Sequence, residues 1–192
     1  MVFAQNEVVA SPAHEINQTP KKLKSMNAIE QEIVNRLQLQ PHREGGFFKE
    51  SYRSDIFLSA RSLPDTFGGR RTMATSIVYF LPAGSFSAFH RLKQDEIWNF
   101  HAGSVILPHT INSSDGLYNC FELGDGVSGE SVPQVIIPAG TYFAAEASQG
   151  YGLVGCVATP GFDYADLEMP VASRLVKLFP QHESIIRKFS RS

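Results

Sequence analysis

Apolar and polar residues follow two different rhythms along this chain, and the change between them divides it. Residues 1 to about 26, with Gln, Asn, Ser, Pro and a KKLK run, show no sustained period and read as a disordered or adaptable arm. From Asn27, Ile29, Ile33, Val34 and Leu37 fall at i, i+4, i+5 and i+8, an apolar stripe of helical period. Asn27 stands where an N-cap belongs and Glu30 can close a capping box, so the pattern predicts a helix over about 28–39. Beyond Pro41 that period disappears. GGFFKESYRSD, RTMATSIVYFLPAG, FSAFHRL, EIWNFHAGSVILPHTI, YNCFELG, QVIIPAGTYFAAEA and YGLVGCVATPGF are rich in Val, Ile, Thr and aromatics and are punctuated by Gly, Pro, Asn and Asp. They predict strands joined by turns, with SSDG at 113–116 and GDGVSG at 124–129 as turn chemistry. No helix-length amphipathic segment separates them, which favours an all-β sandwich or barrel over a parallel sheet. The helical period returns after PGFDY, in Leu175, Val176, Leu178 and Phe179 and then Ile185, Ile186 and Phe189, predicting one or two short closing helices.

Composition narrows the setting. A chain of 192 residues has room for one domain plus extensions: an arm at 1–26 and a domain at 27–192, its barrel at about 43–162 and a helical segment at about 163–192. The formal net charge is −2 and charged residues make up 19% of the chain, so no basic face large enough for nucleic acid is expected. Cys120 and Cys156 both lie in apolar segments, where a buried thiol is the ordinary reading; this fits a cytoplasmic setting. No run approaches the ~18 apolar residues of a membrane span. MVFAQNEVVASPAHE lacks the basic start and long apolar stretch of a secretory signal, so an unexported protein with no membrane partner is expected.

Candidate chemistry concentrates in GSFSAFHRLKQDEIWNFHAG at 84–103, where His90, Glu96 and His101 sit among apolar and aromatic residues. The segment resembles the first cupin motif, G(X)5HXH(X)3–4E(X)6G, with Gly84, His90, Glu96 and Gly103 at the matching positions. Pro138-Ala139-Gly140 matches part of the second motif. Together with HREGGFFKESYRS, PQVIIPAGTYF and LVGCVATPGFDYADLEM, the resemblance spans roughly residues 40 to 170 and is to small single-domain cupins of the RmlC-like, sugar-epimerase-like kind. It implies a cupin jelly-roll β-barrel, with the predicted N-terminal helix and short C-terminal helices around it, and His90 and Glu96 pointing inward. Metal-binding cupins converge three His and one Glu inside the barrel. Here Leu92 stands at the second His position and Phe143 at the third. First-row metals at catalytic sites usually take three or more protein ligands, so no metal cofactor is expected. His101 offers no rescue, since strand alternation sends it to the face opposite Glu96, and neither does His109, because Pro108 is expected to end its strand.

With Glu96 inward, alternation carries Trp98 and Phe100 to the same side, giving an aromatic pocket with two ionisable groups, suited to a small polar metabolite. A His near neutrality and a Glu raised by desolvation can move a proton on and off a substrate carbon, which is epimerase or isomerase chemistry with His90 and Glu96 catalytic. A metal-dependent dioxygenase or decarboxylase, a binding module without turnover, and a pair that only hydrogen-bonds within the barrel remain as alternatives. In GGFFKESYRS, Phe48, Glu50 and Tyr52 share one face, and Phe47, Lys49, Ser51 and Arg53 the other. The resemblance favours Glu50 and Tyr52 as inward, ligand-binding residues beside Phe143; an edge strand with solvated or dimer-spanning charges is the alternative. Glu44-Gly45-Gly46 reads as a turn, Asn99 and His101 as pointing away from the pocket, Arg70-Arg71 as an exposed pair, and Cys156 as core rather than nucleophile. Strand-rich and poor in charge, the chain is expected to form a homodimer that covers its apolar edges.

Overall fold

The computed structural model describes residues 26–127 and 129–191, so the arm expected over residues 1–26 lies outside it except for Met26. Helix α1 (Ala28–Leu37) begins as its sequence requires: the Asn27 side chain accepts the Glu30 N–H at 2.9 Å, and the Glu30 carboxylate accepts the Asn27 N–H at 2.9 Å. These bonds satisfy two donors that a bare helix start would leave open. Gln38 at φ 55° ends the helix in a left-handed cap, so Leu39, expected within it, turns onto the sheet beside Val34 and Phe80.

The strands are β1 (Gln40–Pro41), β2 (Phe47–Arg53), β3 (Phe57–Leu58), β4 (Arg71–Thr72), β5 (Thr75–Leu81) and β6 (Phe86–His90), then β7 (Asp95–Gly103), β8 (Ile106–Ile111), β9 (Tyr118–Cys120), β10 (Gln134–Ile137), β11 (Tyr142–Ala147) and β12 (Gly152–Thr159). A six-stranded sheet runs β1-β2-β5-β12-β7-β10 and a four-stranded sheet β6-β11-β8-β9, with β3 and β4 as a separate pair. All strand pairings are antiparallel. The sequence neighbours β5 and β6 fall in different sheets, as do β10 and β11, so the chain crosses repeatedly between two layers in the manner of a jelly roll.

Alternation explains the layers. Inward residues of both sheets, among them Tyr79, Trp98, Ile106, Phe143 and Val154, meet in one core. Tyr142 and Ala144, one position out of phase with Phe143, face the other way and pack on Leu175, Phe179, Ile186 and Phe189. Those residues belong to or adjoin α2 (Ala172–Leu178) and α3 (Glu183–Lys188), the predicted closing helices. No helix among the described residues is long and apolar enough to cross a membrane.

Three local expectations are corrected. Strand β8 continues through Pro108, whose carbonyl still accepts the Phe121 N–H at 3.0 Å; His109 therefore sits inside a strand, on its outer side. Cys120 ends the edge strand β9 and is exposed, whereas Cys156 is buried, and both are free thiols. Arg71 is not exposed: it is buried in a two-pronged ion pair with Asp166, while the Arg70 guanidinium lies 4.5 Å from the centroid of the Phe57 ring.

Candidate functional site

The site begins at a short loop between β1 and β2. In HREGG, Gly45 and Gly46 have φ of 128° and 64°, conformations that side-chain-bearing residues rarely adopt. A Cβ on Gly45 would run into the Phe86 carbonyl, and one on Gly46 into the Phe80 carbonyl. The glycine pair thus lets the loop press against β5 and β6. It is pinned there by the Tyr79 hydroxyl, which donates to the Gly45 carbonyl at 2.8 Å, and by the Ala88 N–H, which donates to the Glu44 carbonyl at 2.8 Å. This places the Glu44 carboxyl inside the barrel and His42 beside it, with the ring of His42 4.6 Å from Phe48 and 5.3 Å from Tyr79.

A cavity of about 420 Å³ opens between the sheets over β2, β5, β12 and β7. Its inner part is lined by His42, Glu44, Tyr79, Glu96, Trp98 and Cys156, all buried or nearly so. Exposed Glu50 and Arg53 stand at its mouth, joined by Asp163 and Tyr164 from the segment after β12. Arg53 donates twice to Glu50, at 2.9 and 2.7 Å, and once to the Phe162 carbonyl at 3.3 Å. The volume is within the range typical of metabolite sites, and the walls combine apolar rings with a few polar groups.

Burial governs the protonation of the inner groups. The Glu96 carboxyl is pushed up to about 8 by desolvation first and the neighbouring Glu44 second, with the Trp98 indole and Cys156 thiol partly offsetting this. Its Oε2 and the Trp98 Nε1 have no hydrogen-bond partner of normal geometry, although both residues line the cavity. Desolvation also raises Glu44, opposed by His42, Ser87 and Arg191. His90 is held at about 4 by burial, and His42 is lowered for the same reason. The His90 Nδ1 lies 2.7 Å from the Ala88 carbonyl, which can only accept, so Nδ1 carries a proton. In the neutral ring Nε2 is then a bare acceptor, 3.3 Å from Glu44 Oε2. That contact is favourable only with one proton shared between them, and burial favours the neutral form, carboxylic acid to imidazole.

The residues singled out from the sequence separate into two groups. Glu96, Trp98 and Glu50 line the cavity. His90 does not: it lies behind Glu44, fully buried, its ring centroid 4.0 Å from that of Phe143. Phe143 fills the core between His90 and Trp98, and Phe100, although on the Trp98 face of β7, packs farther along the same core instead of reaching the cavity. Tyr52 faces outward. A bulge after Glu50 pairs Glu50 with Ile77 but Tyr52 with Ser76, which reverses the alternation and brings Arg53, not Tyr52, to the mouth. His42, Glu44, Tyr79 and Arg53 were not anticipated from the sequence. The i, i+2 spacing of His42 and Glu44 before a Gly pair was the available signal, since an extended segment turns such residues to one side.

The residues present do not fit the metal centre that the cupin resemblance brings to mind. Leu92 and Phe143 occupy two ligand positions, and both ring nitrogens of His90 already face Ala88 and Glu44. Among the described residues no group of three or more His, Cys, Asp or Glu is arranged to hold a metal ion.

Comparison with known proteins agrees with this architecture. The family described as "Cupin superfamily (DUF985)" matches residues 31–170. An uncharacterized protein of Saccharomyces cerevisiae, YML079W, is 28% identical over 148 residues, 71% of this chain and 72% of the yeast protein. A hypothetical protein from Leishmania major superposes with a TM-score of 0.77 at 31% identity, over 84% of this chain and 98% of that one. Protein SO0799 from Shewanella oneidensis superposes at 0.75 with 33% identity, over 87% of this chain and 99% of the other.

Proposed function

The chain belongs to the cupin superfamily, in its DUF985 family, and from that premise we propose that it binds a small polar metabolite in the barrel cavity and moves a proton on it without a metal, as an epimerase- or isomerase-type enzyme. One observation carries the reading: a buried carboxyl, Glu96, lines the cavity with one oxygen lacking a hydrogen-bond partner of normal geometry, and that burial pushes it up to about 8. A group poised near the working pH gives and takes protons with little driving-force penalty, which is what general acid–base catalysis needs. Glu44 supplies a second carboxyl. His90 acts through it as a positioning residue, fixing the carboxyl by a shared proton and never touching the ligand.

A thermal-shift screen against a metabolite panel should return ligands that raise the melting temperature, because a binder stabilises the native state by mass action. Against such a ligand, Glu96→Gln should leave the protein folded and lower turnover roughly 10²–10⁴-fold. Unchanged turnover in the folded variant would place the function elsewhere. A binding module without turnover is the second reading, favoured by the withdrawal of His90 from the cavity, and it applies if Glu96→Gln weakens binding while no ligand is ever converted.

We also propose a homodimer built on the outer face of the six-stranded sheet. The paired positions Tyr52, Ser76, Val157, Ile97 and Ile136 form one row across β2, β5, β12, β7 and β10, and Tyr52 and Ile136 are each 55% exposed. Such a surface needs covering. Light scattering should give a dimer mass at micromolar concentration and a monomer mass for Ile136→Lys; a monomeric parent would dismiss the interface.

A further inference from the structure

The charges around the cavity are lopsided. Four carboxyl-bearing residues line it, Glu44, Glu50, Glu96 and Asp163, and among the described residues Arg53 is the one arginine or lysine that does so. Arg53 is committed to Glu50 through two hydrogen bonds and also faces the exposed Asp163 at the mouth, which leaves the inner carboxyls, Glu44 and Glu96, without a cation lining the cavity beside them. Arg191 touches this balance only from outside, approaching Glu44 behind the Gly45 turn. The walls near Glu96 are aromatic: Trp98 and Tyr79 meet edge to face with ring centroids 5.7 Å apart and Phe48 lines the same space, while Tyr164, at the mouth, has the Arg43 guanidinium 5.1 Å from its ring centroid. Rings with electron-rich faces next to unopposed carboxyls are a recognised means of holding organic cations.

Two further observations point to a ligand. Glu96 Oε2, on a side chain that is nine-tenths buried, and the indole N–H of the fully buried Trp98 have no hydrogen-bond partner of normal geometry, although the indole and the Cys156 thiol lie near enough to the carboxyl to offset part of its rise. Buried polar groups are normally satisfied, so an orphaned acceptor and an orphaned donor on one cavity wall are where a ligand's own polar groups fit. Without a counter-cation a buried carboxyl keeps its proton; with one it can ionise.

We infer that the cavity takes a small organic ammonium, primary or quaternary, with its charge set against Glu96 on the cavity side of Trp98 and Tyr79 and a hydroxyl or carbonyl oxygen accepting from the Trp98 indole. This rests on the reading of the cavity as the ligand site and names the class of ligand. Binding then displaces the Glu96 proton. The groups facing Glu96 do not compete for that role in the neutral range: the Cys156 thiol from β12 and the Tyr79 phenol from β5 are both raised well above their usual values by burial. Glu44 shares its proton with His90, and His42 is held neutral by desolvation.

The test is calorimetric titration of the full chain with choline and ethanolamine at pH 7, each beside its uncharged carbon isostere, dimethylbutanol and propanol. At least one ammonium should bind about tenfold or more tightly than its isostere, the discrimination a desolvated cation–aromatic and carboxylate contact supplies. Repeating the titration in phosphate and in Tris should reveal release approaching one proton per ligand, and Glu96→Gln should abolish both the release and the preference. Isosteres that bind as well as the ammonium compounds overturn the inference while leaving the cavity a site for neutral ligands. An ammonium that binds Glu96→Gln as well as the parent overturns it too, because the ligand then sits elsewhere. If neither ammonium binds, the inference fails, and the metabolite panel decides the fate of the cavity independently.

Discussion

Glu96→Gln is expected to make the protein markedly more stable than its parent at pH 9, by roughly 5 kcal/mol, while leaving the two nearly equal at pH 5. The native carboxyl titrates at about 8 against an ordinary 4.5, and each unit of such a shift is worth about 1.4 kcal/mol. The folded protein therefore holds a proton between those values that the unfolded chain has lost. Stability contributed by the group is fully present below about pH 4.5 and drains away as pH rises through 8. His90 acts in the opposite sense: its native value of about 4 lies below the ordinary 6.5, so its contribution is complete above 6.5 and is lost as pH falls through 4. The two slopes oppose one another between about 4.5 and 6.5, and only the Glu96 fall, reinforced by the raised Glu44, continues above. Urea unfolding should thus be nearly level in the parent between about pH 4.5 and 6.5 and decline toward pH 9. Glutamine copies the size of the protonated acid but cannot ionise, so the variant should rise toward about pH 6.5, where the parent is level, and lose the Glu96 part of the alkaline decline. Parallel curves for parent and variant above pH 6.5 would show that Glu96 is ionised in the native state and would remove the basis for its role in proton transfer.

Arg71→Ala is expected to destabilise the fold by about 3–5 kcal/mol, the cost of stranding a buried charge. Arg71 on β4 donates to both Asp166 oxygens, at 2.6 and 2.7 Å, and also to the carbonyls of Phe67 and Arg70. Both partners are buried, and Lys93, 3.4 Å from Asp166 with its side chain 35% exposed, meets one oxygen only and does not replace the two-pronged guanidinium. The consequence reaches the cavity, because the turn carrying Asp166 follows directly on Phe162, Asp163 and Tyr164 at the mouth. A lower unfolding midpoint in Arg71→Ala should therefore be accompanied by weaker ligand binding. Replacing the whole pair, as Arg71→Met with Asp166→Leu, should restore most of the stability, since removing both charges leaves neither one stranded. A single-variant cost below about 1 kcal/mol would show that the pair is solvated and that the mouth is held by other contacts.

Local and periodic features were legible in the sequence. Helix α1 could be placed because its cap and its stripe are both written within eleven residues, Asn27 to Leu37, and the structure realises the box bond for bond. The strands were visible through alternation, and the cupin spacing led to Glu96, with Trp98 on the same wall. Absent from any local pattern was the insertion of HREGG between β5 and β6. That insertion depends on two backbone carbonyls, those of Phe80 and Phe86, approaching where glycine leaves room. It puts Glu44 in front of His90 and converts an expected catalytic base into a buried support. The bulge after Glu50 is equally invisible from within β2, since it is defined by register against β5; one extra residue sends Tyr52 outward and Arg53 to the mouth. Periodicity determines which face a side chain takes relative to its neighbours along a strand. Which residue stands first at a cavity is decided by contacts between segments far apart in the chain, and the protonation of Glu96 follows from the burial that only those contacts create.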